Sequence, residues 1–183
     1  VSHDYLVVDT ADAMIDRHAF ARWVAVADRL RNTTKRLQKL AFLVEYLPTL
    51  DGSAIAIAAR FFSGVVFPRH DGRTTQVGGS VLWNAVAELT GLDEAALAEA
   101  YSRHGDAGDM VGDVLQGSPT GAHTLFWVEQ QFVALAHAKG SSMRREIVRD
   151  TLAALGANEA RYFAKLLGGE LRMGLKEAQV EEA

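Results

Sequence analysis

The sequence predicts an all-α fold, a single globular multi-helix domain, on three observations. Apolar residues return every three or four positions through most of the chain. Capping residues or glycines bracket those runs, and no stretch alternates convincingly as a strand does. At 183 residues and 49% apolar, the chain is long enough to bury a proper core.

The first sixteen residues hold four aspartates and no Lys or Arg, and are read as an acidic, flexible lead-in (1-16) to a helical domain over 17-183. Phe20, Trp23, Val24, Ala27 and Leu30 recur at helical spacing. Asn32, Thr33 and Thr34 break that run and offer a new N-cap. The next stripe is Leu37, Leu40, Val44 and Leu47, closed by Pro48, with Lys35, Arg36 and Lys39 expected on a solvated opposite face. Asp51 to Ser53 opens a helix that Ser63-Gly64 ends, and residues 65-79 read as an irregular connection.

Ser80 is expected to cap a run carrying Leu82, Val86 and Leu89, stopped by Gly91. Asp93 starts another with Leu97, Ala100 and Tyr101, ending at His104-Gly105. Asp106 to Asp113 holds three aspartates among glycines. It lacks the regular ligand alternation and terminal Glu of a calcium loop, so a helix start with acidic residues at its positive end accounts for it better. Gly117-Ser118-Pro119 is a turn. Thr124 caps a run through Leu125, Val128, Phe132 and Leu135, and Ser141-Ser142 are expected to cap one with Ile147, Val148, Thr151 and Leu155 inward. Asn158 is expected to cap the last, through Tyr162, Phe163, Leu166 and Leu167.

Composition bounds the function. The absence of cysteine excludes disulfides and thiolate metal sites. The histidines match no zinc spacing, and Gly72 and Gly78-Gly79 lack both the preceding strand and the Lys-Ser/Thr ending of a nucleotide-binding loop. No apolar run reaches membrane-spanning length and no secretory signal is recognisable, so a reducing, cytosolic setting is expected. The net charge is −4, unevenly spread: ten basic residues against four acidic from Arg17 to Arg73, then eight acidic against one basic from Ser80 to Gln130. One cationic and one acidic face on a single fold would satisfy that distribution.

The chemistry converges near the end, in Leu166-Leu167-Gly168-Gly169-Glu170-Leu171-Arg172-Met173-Gly174-Leu175-Lys176-Glu177. Two helix-compatible runs meet across the double glycine, and Arg172 and Lys176, four apart on the second, would share a face. Glycine amides, a helix start and two cations make a phosphate-holding corner; a glycine-ended helix followed by another is the plainer account.

This stretch closely resembles the end of the N-terminal DNA-binding domain of ATP-dependent DNA ligases of the archaeal, eukaryotic and mycobacterial type. Further pieces follow in family order: Thr33 to Lys39, Phe61-Phe62-Ser63-Gly64 with Pro68, loosely Gly78-Gly79 with Trp83, Gly105 to Asp109, and Ala136 to Ser142. The resemblance implies an all-helical domain that grips nicked double-stranded DNA through the minor groove and backbone, while separate adenylation and oligonucleotide-binding domains seal the nick in repair, replication and recombination. By position it implies DNA contacts at Thr34, Lys39, Ser141, Arg144, Gly168, Gly169, Arg172 and Lys176, with Arg172 and its preceding glycines at the centre. Arg145 and Arg73 are equally explained by surface salt bridges.

The ligase nucleophile motif, Lys-x-Asp-Gly, is absent: Asp51-Gly52 follows Leu50 and Asp71-Gly72 follows Arg69-His70, neither with the lysine. No catalytic residue, metal site or cofactor is therefore assigned to this chain, which should not seal nicks alone; ATP and Mg belong to the full-length ligase. The implied location is the cytoplasm, associated with the nucleoid, in a prokaryote and the nucleus in a eukaryote. Three other readings remain: a protein-interaction module using the acidic central helices; a helix-turn-helix regulator, which needs a major-groove recognition helix; and a small independent enzyme drawing on His70, His104, His123, His137 and the aspartates near residue 106.

Overall fold

Trp23 sits at the centre of the core, fully buried, with four aromatic neighbours, one from its own helix and three from two other helices. Its ring stacks on Phe62 at 4.8 Å and meets Phe61 and Tyr162 edge-on, while Phe20 stacks from its own helix. Its indole N–H donates to the Ala58 carbonyl at 3.2 Å, so the one polar atom of the ring is satisfied inside the core. Around it the computed structural model, which describes residues 17-116, 122-175, 180 and 183, is built of helices joined by irregular connections. The helices are α1 (Phe20–Arg31), α2 (Arg36–Tyr46), α3 (Gly52–Phe62), α4 (Gly79–Thr90), α5 (Glu94–His104), α6 (Ala107–Val114), α7 (Leu125–His137), α8 (Gly140–Ala154) and α9 (Ala157–Gly168). A 3₁₀ turn, Leu47–Thr49, holds Pro48 after α2.

The all-α expectation holds: among the described residues the only β pairing is an isolated antiparallel bridge between Ala19 and Thr124. That bridge ties the start of α1 to the start of α7, through Phe20 N–H to His123 O and Leu125 N–H to His18 O. The buried faces of α1 and α7 are those the spacing predicts. Asp93, Asp106 and Thr124 cap α5, α6 and α7 through their side-chain oxygens. Gly91, Gly105 and Gly169 end α4, α5 and α9 in the left-handed conformation. Residues 65-78 form the expected irregular connection, and the lead-in 1-16 and the turn at Gly117 to Pro119 lie outside the described residues.

Several local expectations are corrected. Helix α2 is rotated: Lys39, Leu43 and Tyr46 face inward, whereas Leu37 is 78% exposed and Val44 48%. Lys39 therefore lies in the core-facing stripe, not on a solvated face. Ser80 lies inside the first turn of α4, whose N-cap is Gly78; Ser141 and Ser142 lie inside α8, capped by Lys139. Asn158 lies inside α9, where Glu159 accepts from the Gly156 N–H at 3.0 Å. Tyr101 points outward. The expected second helix does not begin at Leu171: residues 171-175 are irregular, with Leu171 and Met173 buried and Arg172 and Gly174, both at positive φ, exposed.

Helices α6 and α9 approach each other closely. A Cβ on Gly108 would stand 2.4 Å from Lys165 Cγ and 2.8 Å from the Arg161 carbonyl, and one on Gly112 would stand 2.7 Å from Arg161 Nε. The two glycines, one turn apart, leave room for the Lys165 and Arg161 side chains.

Candidate nucleic-acid interface

The glycine corner is built by the end of α9 and the irregular segment after it. Gly169, at φ 68°, turns the chain, and the Glu170 N–H returns to the Lys165 carbonyl at 3.0 Å. Arg172 follows at φ 49°, a left-handed conformation that costs a side-chain-bearing residue about 1–2 kcal/mol. Buried Leu171 and Met173 anchor the segment on either side of it. Ser63, Gly64, Gly169, Arg172 and Gly174 line a shallow depression of about 230 Å³ here.

Charge in the corner is organised from below. Lys165, with no exposed side-chain surface, donates to Asp106 Oδ1 at 2.6 Å and lies 3.2 Å from Asp109 Oδ2. Asp109 also takes both guanidinium nitrogens of Arg31, at 2.8 and 2.6 Å. Burial works against the Asp109 charge, yet the bonds from Arg31 and Lys165 outweigh it and hold the carboxyl below the usual carboxylate value. Asp106 Oδ2 is buried, without a hydrogen bond, and stands 3.7 Å from Arg172 Nε. The Arg172 guanidinium also donates to Glu170 at 2.8 Å, while its side chain stays 56% exposed. Glu170 first, and then Asp106, raise its already high pKa, so it is a permanent cation.

The structure sorts the predicted contacts. Thr34, Ser141, Gly168, Gly169 and Arg172 are exposed, and Lys176 lies outside the described residues. Lys39 is corrected as a surface contact: it is 6% exposed, and its ammonium donates to the carbonyls of Met173 and Gly174. The fold thus brings Lys39 to the underside of the corner that holds Gly169 and Arg172. Ser141 and Arg144 begin α8 elsewhere, where Arg144 donates to Ala138 O at 2.8 Å and Gln76 Oε1 at 2.9 Å, fastening α8 to the connection before α4. Both secondary candidates are in ion pairs: Arg145 with Glu88 at 2.9 Å, Arg73 with Asp71 while lying over the Phe67 ring.

Sequence reasoning missed Lys165 and Glu170. Lys165 follows Tyr162 by three positions and so shares its buried face, a signal that a charged side chain there needs a partner. Histidines are dispersed: His104 pairs with Asp113 at 3.2 Å, and His123 stacks on Trp127 at 3.8 Å. Among the described residues no group of three or more His, Asp or Glu is arranged to hold a metal ion, and no helix is long and apolar enough to cross a membrane.

Residues 19–183 match the family described as DNA ligase N terminus. Among similar proteins, a probable DNA ligase of Koribacter versatilis is 42% identical over 82% of this chain and 27% of its own length. A probable DNA ligase of Opitutus terrae is 34% identical over 90% of this chain and 20% of its own length. A DNA ligase of the archaeon Methanosphaerula palustris is 31% identical over 81% and 28%. The chain therefore spans less than a third of these relatives. By family match and identity together, the chain belongs to the N-terminal domain family of ATP-dependent DNA ligases.

Proposed function

We propose that residues 17-183 are the non-catalytic DNA-binding domain of an ATP-dependent DNA ligase, holding nicked duplex through minor-groove and phosphate-backbone contacts while other domains seal it. The observation that carries this reading is the corner itself: a permanently charged, half-exposed Arg172 beside the exposed Gly168-Gly169 turn, supported by a buried ionic cluster. A half-exposed guanidinium suits phosphate oxygens and carries no base-edge code, as sealing at any sequence requires. Thr34, Ser141 and Arg144 extend the contact set. Adenylation and oligonucleotide-binding domains of the same ligase are the protein partners, and ATP and Mg serve those domains. The bacterial and archaeal relatives favour the cytoplasmic branch of the expected location.

The test is a fluorescence-anisotropy titration with nicked and intact duplexes of varied sequence at several salt concentrations. Saturable binding that salt weakens on every sequence is expected, with Arg172→Ala weakening all of them alike and lowering the log–log salt slope by about 0.9. Binding confined to one sequence, or absent at low salt, refutes the proposal. One observation favours a second reading, a protein-interaction module. Leu82, Trp83, Ala87, Tyr101 and Met110 line a groove of about 720 Å³ between α4, α5 and α6, with Glu94 at its margin. Absence of DNA binding would move the function there.

A further inference from the structure

We propose that Lys39 is a positioning residue for DNA binding: it latches the Arg172 segment from beneath and never touches the nucleic acid. The inference deepens the proposed function and rests on Arg172 being a DNA contact.

A lysine at 6% exposure must find oxygen partners, since an unpaired buried ammonium is strongly disfavoured. Lys39 donates to the backbone carbonyls of Met173 and Gly174, 134 and 135 residues away in sequence. These are the two residues that follow Arg172. The segment they belong to is conformationally costly, with Arg172 at φ 49° and Gly174 at φ 59°. Such a backbone persists only when its surroundings over-determine it. On the N-terminal side the determinants are the Gly169 turn and Leu171, whose Cδ1 lies 3.8 Å from where a Cβ on Gly64 would stand. On the C-terminal side the ammonium gathers two consecutive carbonyls and so fixes the orientation of the peptide between them. Arg172 is thereby held with its Nε toward Asp106 and its Nη2 on Glu170, its side chain 56% exposed. Lys39 is bound from the floor of the corner, and its buried Nζ leaves Arg172 as the cation among the described residues that line it.

Two variants open the latch from opposite sides. Lys39→Met keeps the stem that packs in the core and removes the ammonium. Gly174→Ala puts a Cβ 2.9 Å from Lys39 Nζ at a positive φ, displacing the contact from an exposed position while Lys39 stays. Two readouts are taken on the whole chain. In amide hydrogen exchange without DNA, both variants are expected to speed exchange over residues 171-175 at least tenfold, with the core amides of α1 and α7 unchanged. In anisotropy with a labelled nicked duplex, each is expected to weaken binding three- to tenfold, as Arg172→Ala does. The double variant Lys39→Met/Arg172→Ala should bind no more weakly than Arg172→Ala, with no further fall in salt slope.

Unchanged exchange over 171-175 in both variants overturns the latch whatever the DNA result. Multiplicative losses with a second drop of about 0.9 in slope overturn it in favour of a direct phosphate contact. Faster exchange with wild-type binding by Arg172→Ala leaves a structural tie and overturns its role in DNA binding, a failure of the site reading distinguishable from failure of the latch.

Discussion

Three glycine-to-alanine substitutions separate the two reasons a glycine is needed, and Gly108 carries the sharper consequence. At Gly108 the added methyl would stand 2.4 Å from Lys165 Cγ, 2.8 Å from the Arg161 carbonyl and 3.2 Å from Asp106 Oδ1. The carbonyl belongs to α9 and cannot swing aside, so α6 and α9 must separate or Lys165 must leave Asp106. Overpacking of this kind costs about 1–3 kcal/mol, and weakening the Lys165–Asp106 pair adds to it, against at most about 1 kcal/mol gained from the better helix former. The expected net loss is about 2–4 kcal/mol, which lowers Tm by roughly 5–15 °C for a chain of this length. Gly105→Ala meets open space but must hold φ 60°, a cost of about 1–2 kcal/mol. Gly168→Ala meets nothing within 4 Å and carries no positive φ, so it should be neutral or stabilise by up to about 1 kcal/mol. Thermal unfolding followed by circular dichroism ranks the three. A Gly108→Ala protein as stable as Gly105→Ala would refute the close α6–α9 packing and the buried lysine argued from it.

Other expectations follow from the same geometry. Leu43→Ala should cost about 2–5 kcal/mol in chemical denaturation because Leu43 is fully buried, while Leu37→Ala, at 78% exposure, should stay within about 0.5 kcal/mol; the reverse order would restore the other face of α2. Glu170→Gln removes the carboxylate that competes with phosphate for Arg172, and should tighten duplex binding about two- to fivefold at low salt, measured by anisotropy. The depressed folded-state pKa of Asp109 means its contribution to stability is present above the unfolded carboxylate value of about 3.9 and drains away as pH falls through the lower folded value. Asp109→Asn should therefore be less stable than the parent at neutral pH, with the gap closing as urea titrations are repeated toward acid.

The candidate site was legible in part. Gly169 ends α9 where a double glycine after an apolar run says it must, and Arg172 stands exposed beside it, as the corner reading requires. What misled was periodicity over too short a window. Leu171, Arg172, Met173 and Gly174 fit a helix by propensity and a strand-like alternation by pattern, and four residues cannot decide between them. The side that Lys39 takes is equally undetermined by local pattern, because α2 offers two apolar stripes: Leu37, Leu40 and Val44, or Leu43 and Tyr46 with the lysine stem. Only a partner that arrives from the far end of the chain chooses between them.

The sequence by itself determined the elements and many of their ends, because periodic apolar spacing, side-chain caps at Asp93, Asp106 and Thr124, and left-handed glycines act within one or two turns of chain. Family membership was equally legible in the ordered motif pieces. Tertiary structure alone decided which face of α2 is buried, that Lys165 and Lys39 turn inward, and that residues 171-175 are irregular where a helix was expected. Each of those choices depends on charge and carbonyl partners dozens of residues away, Asp106 for Lys165 and Met173 with Gly174 for Lys39. A buried ammonium is tolerable only where folding delivers its oxygens, and no local pattern records where they will come from.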